Sequence, residues 1–110
     1  MRISVTLQVL EQIAAGELKC VRLPITTPWS LRLGQHFGAV YEDGILKQGE
    51  DLPEFMRKDP VQPVDFYGGC FMTARKIRAV CRLDVRDGKF CVEILRIENN
   101  EKPKGERCEI

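Results

Sequence analysis

Apolar residues change their spacing several times along this chain, and the changes mark out its elements. Arg2 to Val5 reads as a short strand or a lead-in. From Thr6 the residues Leu7, Leu10, Ile13 and Ala14 recur at helical spacing and share one face. The Thr6 hydroxyl suits an N-cap, and Gly16 stands where a left-handed C-cap is wanted. Leu18 to Leu23 then reads as a strand closed by Pro24.

The next stretch is harder to assign. Residues 24–36 hold Pro24, Pro28, Thr26, Thr27 and Trp29, and read as a loop with a helical turn over Ser30–Leu33 ended by Gly34. Phe37 to Tyr41 is an apolar run of strand type, followed by the turn Glu42-Asp43-Gly44 and a hairpin return at Ile45-Leu46. Residues 47–69 read as an irregular insertion. Leu52 to Lys58 suits one or two helical turns with Asp51 as N-cap, Pro63 breaks the stretch after it, and Gly68-Gly69 marks a turn.

The clearest pattern comes last. Phe71 to Leu83 alternates, with Ile77, Ala79, Cys81 and Leu83 on one face and Lys76, Arg78 and Arg82 on the other. Asp87-Gly88 is a hairpin turn dipeptide, and Lys89 to Ile97 returns with Phe90, Val92 and Ile94 inward and Cys91 and Glu93 opposite. One helix with about five strands predicts an α+β fold, a small mixed β-barrel with an N-terminal helix and a long C-terminal hairpin. The expected organisation is one domain over residues 1–98, with the insertion 47–69 and a polar tail 99–110.

Charge changes this picture more than composition does. The 110 residues carry 17 Lys+Arg and 16 Asp+Glu, a net charge of +1 that argues against a bulk polyanion binder. The sum hides a cancellation, with +2 over residues 1–41, −4 over 42–70, +3 over 71–98 and zero over 99–110. No apolar run approaches the ~20 residues of a membrane span. The N-terminus lacks a signal-peptide pattern, so the expected location is cytoplasmic. The five cysteines, Cys20, Cys70, Cys81, Cys91 and Cys108, are odd in number and contain no C-x-x-C pair. They are expected to be buried hydrophobes with free thiols, with no metal and no cofactor.

The segment Leu10 to Arg22 resembles the opening of ASCH domains, a branch of the PUA-like superfamily, where an N-terminal helix ends in Gly and the next strand carries Lys and Arg. Leu31 to Tyr41 is similar to the next ASCH block, a Gly turn feeding an apolar strand. Gly69 to Val80 resembles the block ending in I-x-x-V, here Ile77 to Val80. The resemblance covers residues 5–45 and 69–97. Lys19 lies one position later, and Arg22 nearer to it, than the family pattern has them, and Gln35 stands where an acidic residue is common.

Several side chains are candidates for a site. Lys19 and Arg22 suit a phosphate or a base edge, or else are solvated strand residues; at odd spacing they point to opposite faces. Trp29 suits base stacking, or else plugs the core. Lys76, Arg78 and Arg82, with Arg96 from the partner strand, suit a phosphate-tracking stripe or a solvated outer face. Arg75 and Glu93 are placed to pair across the hairpin in the barrel mouth. His36 reads as an exposed loop residue.

The ASCH resemblance implies a cleft beside the helix end that holds RNA or a nucleoside- or nucleotide-like ligand, carried by Lys19, Arg22, Trp29, Arg75, Lys76, Arg78 and Arg82. Some stand-alone ASCH proteins cleave acylated cytidines with a Lys, a Thr and a Glu. Lys19 and Glu93 match that set, but Arg22 occupies the Thr position, so Thr26 or Thr27 would have to substitute. A third reading is a non-catalytic phage or mobile-element interaction protein, with the acidic stretch 42–70 as a contact surface or as a cover over the basic strand.

Overall fold

The computed structural model describes residues 1–69 and 74–101. The chain runs through β1 (Arg2–Ser4), α1 (Leu7–Ala14), β2 (Cys20–Pro24), α2 (Thr27–Phe37), β3 (Ala39–Glu42), β4 (Ile45–Gln48), β5 (Val61–Gly68), β6 (Arg75–Arg86) and β7 (Lys89–Glu101). Short 3-10 turns at Gly49–Asp51 and Glu54–Met56 lie between β4 and β5. The fold is α+β, with a five-stranded sheet in the order β1-β5-β6-β7-β2 and a separate ribbon β3-β4. Contacts cluster into two compact units, and β6 and β7 pass through both.

The first unit comprises Met1–Lys19, Pro63–Val80 and the chain from Leu95. Thr6 caps α1 as its sequence predicts, its Oγ1 accepting from the Val9 N–H at 3.1 Å. The helix closes where Gly16 predicts. The Gly16 N–H donates to the Ile13 carbonyl at 3.1 Å and the Glu17 N–H to that of Gln12 at 2.9 Å, the paired bonds of a Schellman cap. Leu10 and Ile13 are buried, as are Ile3, Val64, Phe66, Ile77 and Ala79.

Strand β5 corrects the expectation of an irregular 47–69. It pairs parallel with β1, with Arg2 beside Asp65, Ile3 beside Phe66 and Ser4 beside Tyr67. Pro63 does not end the strand, and it lies outside the residues registered with β1, so its missing N–H removes no bond from that pairing.

The second unit comprises Cys20–Gln62 and Cys81–Ile94. Here β2 pairs antiparallel with β7. Val21 opposes Val92 and Leu23 opposes Phe90, all buried; Cys20 opposes Glu93 and Arg22 opposes Cys91 on the other side of the sheet. Contrary to the free-thiol expectation, Cys20 and Cys91 form a disulfide, with Cα atoms 5.9 Å apart. Their separation of 71 residues hides the pairing in the sequence; it arises from the β2-β7 register. Cys70 and Cys108 lie outside the described residues.

The second helix is the other correction. The expected loop with one helical turn is an 11-residue helix, and Phe37, expected to open a strand, is its last residue. Thr26 is its N-cap, its Oγ1 accepting from the Trp29 N–H at 3.4 Å, and Pro28 sits in the first turn, where a missing N–H is harmless. Leu33 and Phe37, four apart, form the buried face. Gly34 does not stop the helix; it lets the Ala39 carbonyl approach, since a Cβ there would lie 2.5 Å from that oxygen. The true stop is Gly38, left-handed at φ 63°. His36 therefore stands in the last turn of α2, edge-on to Phe37, and not in a loop.

Both hairpins turn as their sequences predict, with positive φ at Asp43 and Gly44 and at Asp87 and Gly88. The apolar face of β6 is buried at Ile77, Ala79, Cys81 and Leu83, and Phe90 and Val92 are buried on β7. Strand β7 continues to Glu101, past the expected start of the tail at Asn99. Phe71–Thr73 and the tail beyond Glu101 lie outside the described residues.

Gly34→Ala separates helix propensity from packing. Propensity alone favours Ala by about 1 kcal/mol, whereas the clash with Ala39 predicts a loss of roughly 1–3 kcal/mol. A lower urea midpoint is expected, and a raised one would refute the close approach.

Candidate functional site

Several charged residues of the second unit gather on the sheet face that carries the disulfide. Turning through Asp87-Gly88, the hairpin brings Arg82 to Glu93, and the Arg82 Nη2 donates to the Glu93 Oε2 at 3.3 Å. The Arg86 Nη2 donates to the same oxygen at 3.3 Å, and the Arg86 Nε to the Asp84 Oδ2 at 2.9 Å. Arg22 reaches Asp87 at 3.7 Å. Three guanidiniums thus stand on one face, each about half exposed, each beside a carboxylate. Exposed pairs of this kind contribute only ~0.2–1 kcal/mol, so an incoming anion displaces them at little cost.

Arg86 is a member of this set that the sequence reading does not single out. It lies two and four positions beyond Asp84 and Arg82 on the same strand face, so the period-two pattern that selects Arg82 extends to it.

The other predicted residues take varied roles. Lys19 lies just ahead of β2, exposed and without an ion pair among the described residues. Thr26 is committed to capping α2. Trp29 is neither a core plug nor a bare platform: it is half-buried in the first turn of α2, with the Arg32 guanidinium 4.6 Å from its ring centroid. The expected Arg75–Glu93 pair does not form. The Arg75 Nη2 donates to the Asn100 Oδ1 at 2.8 Å, because the turn register places Glu93 opposite Arg82 instead.

In the first unit Lys76 meets Glu101 at 3.6 Å, and Arg78 lies 3.8 Å from Glu98 and 4.0 Å from Asp65. Arg96 also reaches Glu98, at 3.9 Å. The basic residues of β6 are therefore interleaved with acids, not arrayed alone.

Among the described residues no three His, Cys, Asp or Glu side chains gather into a metal-binding set, and no helix is long and apolar enough to cross a membrane. Compared with known proteins, the chain matches no family model, no curated protein and no solved structure.

Cys81, on the buried face of β6, is a thiol of a different kind from the disulfide pair. Burial pushes its pKa from 9.0 up to about 12, because the thiolate is disfavoured away from water. Since the thiolate is the reactive form, peptide mapping after iodoacetamide treatment at about pH 9 should find Cys81 unmodified in the folded protein and modified in urea. Equal modification in both would contradict its burial.

Proposed function

We propose that this chain is a binding module for RNA or a nucleotide-like ligand, built on the small PUA/ASCH-like barrel that the ASCH resemblance implies, and acting in the cytoplasm. The observation that carries the proposal is the set of three half-exposed guanidiniums, Arg22, Arg82 and Arg86, on one face of the second unit. Arg presents a planar fork that matches phosphate oxygens, and the carboxylates at Asp84, Asp87 and Glu93 hold the forks in place until phosphate exchanges for them.

Binding is favoured over hydrolysis of an acylated cytidine by what Thr26 and Glu93 already do. The Thr26 hydroxyl accepts a helix N–H, and the Glu93 Oε2 already accepts from both Arg82 and Arg86, so neither group stands free beside Lys19 as that reaction needs.

Fluorescence anisotropy with a labelled single-stranded RNA pool tests this. Binding should weaken steeply between ~50 and ~200 mM salt. Arg82→Ala should weaken it and reduce the salt slope by about 1, and Glu93→Gln, which removes the competing carboxylate, should strengthen it. Absent or salt-independent binding, or weaker binding in Glu93→Gln, would overturn the proposal.

A further inference from the structure

A second surface of the second unit has a different chemistry. A groove of about 460 Å³ runs between α2 and the segment after β4, floored by Gly38 to Tyr41. Its walls are Leu31 and Gly34 on one side and Leu52, Phe55 and Met56 on the other. Lys58 fixes the two walls together. Its Nζ donates to the Gln35 carbonyl near the end of α2 at 2.6 Å, and its stem lies so close to Gly38 that a Cβ there would fall 2.6 Å from the Lys58 Cβ. The groove is therefore built into the fold, while its apolar rim is uncovered: Phe55 is 88% exposed and Leu31 60%. Single exposed apolar residues are ordinary, but several around one concavity mark a contact site.

The charge around the groove identifies the occupant. Glu50, Asp51 and Glu54 lie in the two 3-10 turns, next in sequence to the wall residues Leu52 and Phe55, all exposed, their carboxylates without a hydrogen bond or ion pair among the described residues. Arg57 and Lys58 offset them only in part, pairing with none of them and donating instead to the Leu52 and Gln35 carbonyls, so residues 49–59 keep a net charge of −2. An apolar trough beside a net acidic segment disfavours nucleic acid and fits a peptide that is apolar on one face and basic beside it.

We propose that this groove docks a basic amphipathic helical segment of a partner protein, its apolar residues against Leu31, Phe55 and Met56 and its Lys or Arg residues beside Glu50, Asp51 and Glu54. This surface is separate from the arginine face, and the proposal does not depend on RNA binding.

The test uses a helical Leu/Lys peptide of about 18 residues with Leu at i, i+3, i+4 and i+7, and its Leu/Glu counterpart. Amide shifts of the isotope-labelled full chain should move at Leu31, Phe55 and Met56 with the Leu/Lys peptide, and not with the Leu/Glu peptide. Phe55→Ser, at an exposed position that leaves folding intact, should weaken binding roughly tenfold. The triple variant Glu50→Gln/Asp51→Asn/Glu54→Gln should weaken it and remove its salt dependence. No binding, equal binding of both peptides, or indifference to Phe55→Ser would overturn the proposal. So would single-stranded RNA moving the same amides, or sedimentation showing a dimer that Phe55→Ser dissolves, which would make the occupant a nucleic acid or a second copy.

Discussion

The register set by the Asp87-Gly88 turn controls most of what the second unit does. Two residues with positive φ join β6 to β7, and that geometry decides which side chains meet across the hairpin. It places Arg82 opposite Glu93 and leaves Leu83, Phe90 and Val92 on the buried side. Strand β2 then reads its own alignment from β7, which brings Cys20 within bonding distance of Cys91 and puts Arg22 on the face with Arg82 and Arg86. A slip of one residue would send the buried set to the solvent side and scatter the arginines.

Features governed by neighbours along the chain are legible in the sequence itself. The Thr6 cap, the Gly16 stop and the alternation from Ile77 to Leu83 each depend on a few consecutive residues, and each stands as expected. Expectation and fold part where a local signal serves a distant partner. Gly34 resembles a helix stop, but it clears room for the Ala39 carbonyl. Pro63 resembles a strand breaker, but β5 forms through a parallel pairing with β1 from the far end of the chain.

The site is legible in the same partial way. Residue types and strand faces can be read, which selects Arg22, Arg82 and Glu93, while their partners cannot. Glu93 and Arg75 look like a pair because both interrupt apolar faces, and only the turn register shows that Arg82 and Arg86 share Glu93. The groove beside α2 has no sequence signature, since its walls meet through one Lys58 side chain reaching a backbone carbonyl. The net charge of +1 likewise acquires a physical meaning. It arises from cations interleaved with acids on β6 and β7, together with a net acidic segment after β4.

The turn register can be observed directly by cross-strand nuclear Overhauser contacts in the isotope-labelled protein. Contacts should link Arg82 with Glu93, Cys20 with Glu93, and Arg22 with Cys91. Contacts displaced by one residue along β7 would separate the arginines from Glu93 and contradict the arrangement from which the binding face is built.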